Sequence, residues 1–213
     1  MNFEQLLNIV GDEPVFETGL LLAGEADPRH VRRQLSRWVR AGRLYQLRRG
    51  LYALAPPYQK APPHPFLVAN ALSPGSYVSL HSALAHYGLI PEYVPVVTSV
   101  TPARPGRRET PLGLFEFRHL KGPLLFGYRR VDLGGGQAAF VATPEKALLD
   151  LLYLTPGSDA PTYLQELRLQ NLERLDLEAL RQMADRFRSP KMRRAVDRII
   201  ALAQAEAEAY ETL

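Results

Sequence analysis

The sequence predicts an α+β fold in two bodies, a small basic one at the N-terminus and a larger mixed one ending in helices. Three observations carry this prediction. Helical and alternating patterns succeed each other along the chain, so neither period fills it. Between Ala55 and Pro65 lie Pro56, Pro57, Pro62, Pro63 and Pro65, a density that stops helices and central strands and favours an extended, semi-rigid spacer. From Asp27 to Pro56 there are eight arginines and one acid, although the whole chain carries only +4. The expected organisation is therefore residues 1–55 as a basic module, 56–65 as a proline-rich linker and 66–213 as an α+β domain with a helical tail.

At 213 residues, 46% of them hydrophobic, the chain can bury a substantial core. No apolar run is long enough to span a bilayer, so no membrane partner is expected. The start Met1-Asn2-Phe3-Glu4-Gln5 lacks the basic flank and apolar core of a secretion signal, and a cytoplasmic location is expected. The absence of cysteine excludes disulfides, thiolate metal sites and cysteine nucleophiles.

In the N-terminal module, Phe3 to Val10 places Phe3, Leu6, Leu7 and Val10 on one helical face, with a stop near Gly11. A second helix is expected from Phe16 to Leu22, closed by Ala23-Gly24. The third has its own boundary signals: Asp27 as N-cap, Pro28 in the first turn and Gly42 just past the end. On it, Val31, Leu35, Trp38 and Val39 share one arc at 100° per residue. Arg29, Arg33, Ser36 and Arg40 project from the opposite face, with Arg32 and Arg37 on its flanks. Guanidinium groups match phosphate oxygens and the O6/N7 edge of guanine. Two short helices before such a helix give the order of a helix-turn-helix. Leu44 to Leu47 and Leu51 to Leu54 then alternate about Arg48-Arg49-Gly50, a basic hairpin placed as a wing. The expected site on double-stranded DNA is thus Arg29, Arg32, Arg33, Ser36, Arg37 and Arg40 at the major groove, and Arg48 and Arg49 on phosphates.

Beyond the linker, helices are expected over Pro65 to Leu72 and from Leu80 to Tyr87, the latter capped by Ser79. Extended segments are expected at Val94 to Val100, Leu114 to Arg118, Phe126 to Val131 and Ala138 to Ala142, with Gly134-Gly135-Gly136 as a turn. Thr143-Pro144-Glu145 opens a strong helix through Leu154, and amphipathic helices follow from Tyr163, one of them capped by Ser189-Pro190.

Candidates for catalysis or metal binding are poor. His81 and His86 are five apart on one helix, whereas two ligands on one face need a spacing of four. His30, His64 and His119 are isolated. Gly134-Gly135-Gly136 lacks the Lys and Ser/Thr of a phosphate loop. Ser79 with His81 lacks the turn of a nucleophile elbow and serves better as a cap. No catalytic residue, metal or cofactor is expected. Asp150 interrupts an apolar helix, where facing water is the commoner outcome and burial with an arginine partner the other. A second basic set, Arg104, Arg107 and Arg108 in a loop and Arg181 to Arg198 late in the chain, is diluted by acids and expected to be solvated.

Taken in order, Arg49-Gly50-Leu51-Tyr52, Tyr77-Val78-Ser79-Leu80-His81-Ser82-Ala83-Leu84, Tyr87-Gly88-Leu89-Ile90-Pro91, Thr98-Ser99-Val100-Thr101, Thr110-Pro111-Leu112-Gly113 and Ala142-Thr143-Pro144-Glu145-Lys146-Ala147-Leu148-Leu149-Asp150 resemble the AbiEi-type antitoxins, a family of bacterial transcriptional regulators linked to abortive infection. The resemblance runs from about Phe16 to the C-terminal helices. It implies a non-enzymatic winged-helix repressor of its own promoter, binding inverted repeats that a pair of chains would match. It also implies a role against a nucleotidyltransferase-like toxin, without requiring a stable complex. The toxin itself would need Gly-Ser followed closely by paired acids; Gly157-Ser158 and Asp176-Leu177-Glu178 are too far apart. The alternative is a conventional winged-helix transcription factor whose second domain senses a ligand or protein partner.

Overall fold

The structure, a computed structural model, describes residues 1–22 and 27–211. The N-terminal body contains α1 (Phe3–Val10), β1 (Phe16–Glu17), α2 (Thr18–Leu21), α3 (Pro28–Arg40), β2 (Leu44–Arg48) and β3 (Leu51–Leu54). Asn2 and Gln5 form a reciprocal capping box at the start of α1, which satisfies two amides that the helix leaves unpaired. The expected second helix is shortened. Phe16 and Glu17 pair with Tyr52 and Leu51 as a strand, and α2 begins only at Thr18. Phe16 stacks on Tyr52 at 5.8 Å between ring centroids, a cross-strand contact that favours the extended form. The closure expected at Ala23-Gly24 lies outside the described residues. The sheet order is β1-β3-β2.

The second body holds α4 (Pro65–Leu72), β4 (Tyr77–Val78), α5 (Leu80–His86), β5 (Val96–Thr101), β6 (Gly106–Thr110), β7 (Gly113–His119), β8 (Tyr128–Gly134), β9 (Gln137–Ala142) and α6 (Pro144–Leu154), followed by α7 (Pro161–Glu166), α8 (Leu177–Asp185) and α9 (Pro190–Glu211). Its strands form one sheet in the order β6-β7-β5-β4-β9-β8. The pairs β4–β9 and β5–β7 are parallel and the others antiparallel, which makes the architecture mixed α+β. The Arg107-Arg108 segment, expected as loop, is the edge strand β6. Arg107 pairs with Glu116 on β7 at 2.9 Å, and that cross-strand ion pair supplies a register the loop reading lacked.

The two bodies meet along the β2–β3 hairpin. All four residues of β3 are buried, because both faces are covered. Leu44, Tyr52 and Leu54 join the core beneath α1 and α3, whereas Leu47, Leu51 and Ala53 join the core of the second body. Leu47 shares the second side with Tyr45 by strand alternation, and the pairing register shifts just beyond it, between Gln46 and Arg48. The linker is strapped at both ends. Tyr58 packs edge-on to Phe3 at 4.9 Å, Lys60 pairs with Asp12, and Gln137 bonds both the Pro62 carbonyl and the His64 amide. It is therefore a tie between the bodies where the sequence suggests a spacer, since its proline-free amides and side chains find partners on each.

No helix among the described residues is long and apolar enough to cross a membrane.

Candidate nucleic-acid interface

Helix α3 is fixed by its sequence at both ends. The Asp27 carboxylate accepts from the Arg29 amide at 2.9 Å, Pro28 occupies the first turn, and Gly42 adopts φ +68° just past the end. The left-handed turn lets the Arg43 amide reach the Trp38 carbonyl at 2.9 Å. Val31, Leu35 and Trp38 are buried and seat the helix on α1 and the small sheet. Phe3 meets Trp38 edge-on at 5.4 Å, and the Arg43 guanidinium lies 5.0 Å over the same Phe3 ring.

This seating leaves Arg29, Arg32, Arg33, Ser36, Arg37 and Arg40 all exposed. Arg32, Arg33, Ser36, Arg37 and Arg40 line one shallow concavity along the helix. None of the five α3 guanidinium groups forms a hydrogen bond or ion pair with a described residue. Five cations on one face repel each other, a cost that a polyanion lying along the helix would turn into attraction.

The hairpin separates its two arginines. Arg49 is exposed at the turn. Arg48 is turned inward: it bonds the Glu17 carboxylate at 2.8 Å and donates twice to the Ala71 carbonyl at 3.3 Å. That carbonyl lies near the C-terminal end of α4, where the helix dipole favours a cation. Gly50 sits at φ +82° and its carbonyl accepts from the Thr18 amide at 2.9 Å, pinning the turn to α2. Sequence reasoning treated Arg48 and Arg49 alike, because nothing local records a partner 23 residues on.

A second cluster of charge lies inside the larger body. Asp150 is fully buried, the less common of the two outcomes expected for it, and its partner is not an arginine but Lys146, one turn earlier on α6. Tyr77 and Ser79 donate to the other carboxylate oxygen at 3.0 and 2.8 Å, and Lys146 also donates to the Tyr77 hydroxyl at 2.9 Å. The Lys146 ammonium lies 4.9 Å from the Phe126 centroid and 5.4 Å from that of Phe187. Burial lowers the Lys146 pKa and raises that of Asp150, while the pairing opposes both shifts. Burial and the neighbouring Asp150 carboxylate push the Tyr77 phenol up. Ser79 keeps its place before α5 but does not cap it with its side chain, because its hydroxyl is spent on Asp150. The four side chains are sealed from solvent and offer no substrate access. The Lys146–Asp150 spacing of four is the signal that could have revealed the pair.

Other candidates are used structurally. Ser158 is buried and donates to the Leu152 carbonyl, and Asp176 caps α8 through the Ala179 amide at 2.9 Å. Burial lowers the pKa of His64, His81 and His86. No group of three or more His, Cys, Asp or Glu that could hold a metal occurs among the described residues.

No protein-family model matches the chain, and no curated protein does. Among solved structures, it is similar to the RV2827C protein from Mycobacterium tuberculosis, with 17% identity and a TM-score of 0.60. The match covers 94% of this chain and 76% of that one. At that identity the likeness establishes a shared α+β fold.

Proposed function

We propose that this protein is a DNA-binding transcriptional repressor whose N-terminal body acts as a winged helix-turn-helix. The observation that carries the reading is the exposed face of α3, five arginines and Ser36 without an ion-pair partner among the described residues. Helix α3 enters the major groove, and the β2–β3 hairpin lies beside the backbone as the wing. Arg29, Arg32, Arg33, Arg37 and Arg40 meet phosphates or guanine edges, Ser36 approaches a base or phosphate, and Arg49 holds a phosphate at the turn. Arg48 acts one step back by fixing the hairpin to α4. The antitoxin role, autorepression at inverted repeats beside a nucleotidyltransferase-like toxin gene, rests on the ordered motifs quoted from the sequence.

The test is a mobility-shift titration of the full chain on DNA from upstream of its own gene, beside a random duplex of equal length. If about six phosphates are neutralised, log affinity falls with log salt at a slope near −5. Sequence preference with that slope supports the repressor; failure to bind either duplex at low salt removes it.

A second reading, a sensory role for the larger body, is favoured by a groove of about 620 Å³ beside α4. His64, Phe66, His86, Tyr93 and Leu114 line it. It opens at the N-terminal end of the helix whose other end holds the wing through Arg48. A compound or peptide that changed DNA affinity only when Arg48 is present would support this reading.

A further inference from the structure

The larger sheet ends on two edge strands, β6 and β8. The way β8 presents its backbone follows from its neighbour. Phe140 of β9 lies opposite Arg130. The Asn70 side chain of α4 takes up both backbone groups of Phe140, accepting from its amide at 2.6 Å and donating to its carbonyl at 3.4 Å. Phe140 therefore turns those groups away from β8. Residues directly opposite in an antiparallel pair either face each other or turn away together, so Arg130 turns its own amide and carbonyl outward. Tyr128 and Asp132, two residues to either side, do the same. These outward groups have no hydrogen-bond partner among the described residues, and all three residues are exposed.

The charges of β8 are self-complementary. Pairing the strand with a second copy about a two-fold axis at Val131 places each Arg130 opposite Asp132 of the other copy. Both residues belong to the outward set, so each such pair exchanges two backbone hydrogen bonds, and opposite charges directly across stabilise the register. Val131 meets its own copy on the axis, and Arg129 meets Leu133. Sliding the copies by two residues in either direction sets Arg130 or Asp132 against itself, which like charge disfavours. The side chains are available for this pairing. Arg130 shares a shallow crevice with Glu13 but forms no ion pair with it. Asp132 commits one carboxylate oxygen to the Gly134 amide at 2.8 Å and keeps the other. Beside the edge, Tyr128 and Phe140 are 43% and 47% exposed and add apolar area. The β6 edge lacks this property: a two-fold pairing about Arg107, Arg108 or Glu109 sets that charge against its own copy, and Arg107 is already held by Glu116.

We propose that a second copy of this chain pairs with β8, antiparallel and in register about Val131, joining two sheets into one across an isologous dimer. The pairing is independent of the DNA reading and does not need it.

The test is sedimentation velocity on the full chain over about 1 to about 300 µM, a range suited to an interface of modest size. Wild type should move from monomer to dimer across that range. Arg130→Asp sets two carboxylates opposite each other and Asp132→Arg sets two guanidinium groups. Each should raise Kd about tenfold or more, because symmetry repeats the clash twice. An equimolar mixture of these two variants restores both opposite-charge pairs and should associate about as tightly as wild type, which also shows that each variant is folded. Asp132→Asn keeps an acceptor for the Gly134 amide and should raise Kd only about threefold. A wild-type chain that stays monomeric overturns the proposal. So do single variants that dimerise as tightly as wild type, and a mixture that associates no better than its components.

Discussion

Helix α3 and helix α6 both carry charge on a helix that packs against a core, and they use it in opposite ways. On α3 the apolar arc is narrow, so the arginines fall outside it and remain solvated with no partner among the described residues. On α6 nearly every position is buried, so Lys146 and Asp150 have no exit and satisfy each other together with Tyr77 and Ser79. Unpaired surface charge costs little in stability and is free for a ligand. Sealed charge offers nothing to a ligand, and its loss falls on the fold.

The largest effect expected from this contrast is therefore on α6. Lys146→Met leaves a buried carboxylate without its counter-ion, and Asp150→Asn leaves a buried ammonium without its own; each should destabilise by about 3–5 kcal/mol. Combining Lys146→Met with Asp150→Leu should recover much of that loss, because desolvation offsets most of a buried pair's attraction. Urea denaturation checks this, and a double variant as unstable as the sum of the single losses would show no coupling between the two charges and overturn the self-compensating pair.

Arg33→Ala is the mirror experiment. It should leave the urea midpoint within about 0.5 kcal/mol of wild type and weaken DNA binding by about 1–3 kcal/mol if Arg33 reads a base. A mutant that loses stability but keeps its DNA affinity would reverse the assignment of the two regions.

The contrast also shows which features the sequence could reveal. Boundaries set by local chemistry were legible: the Asp27 cap, Pro28, the Gly42 turn and the Thr143-Pro144 start of α6 all lie where the residues predict. The exposed face of α3 was legible because its partner is solvent, and exposure follows from periodicity alone. What escaped depends on residues distant in the chain. Phe16 is a strand residue only because Tyr52 lies across from it. Ser79 is a sound cap by local rules, yet Asp150 takes its hydroxyl from 71 residues away. Arg48 and Arg49 look equivalent until α4 places a carbonyl beside only one of them.

That last difference yields a smaller, sharper test. Arg48→Ala removes charge-assisted bonds to Ala71 and Glu17 and should cost about 1–2 kcal/mol of stability, discounted because the Glu17 carboxylate is largely exposed. Its salt slope should stay near wild type. Arg49→Ala should do the reverse, keeping the stability and losing about one unit of slope. Equal loss of slope in both variants would return Arg48 to the DNA surface.

The smallest effect concerns pH, at the other end of α4. His64 Nδ1 accepts from the Phe66 amide at 3.1 Å, so the cap needs that nitrogen unprotonated. Burial lowers the His64 pKa, and His86 on α5, itself near Arg129, lowers it further. A histidine whose folded pKa lies below its unfolded value of about 6.5 gives stability that is present above that value. The contribution is lost as pH falls through the lower, folded one. Protonation would also place a cation at a helix N-terminus, where the dipole opposes it. The ring is only half-buried, so the contribution should be about 0.5 kcal/mol or less. His64→Asn keeps a capping acceptor that does not titrate in this range. Urea midpoints at about pH 7.5 and about pH 5 should therefore fall less in the variant than in wild type. Equal falls would assign the acid sensitivity to His81 and His86 rather than to the α4 cap.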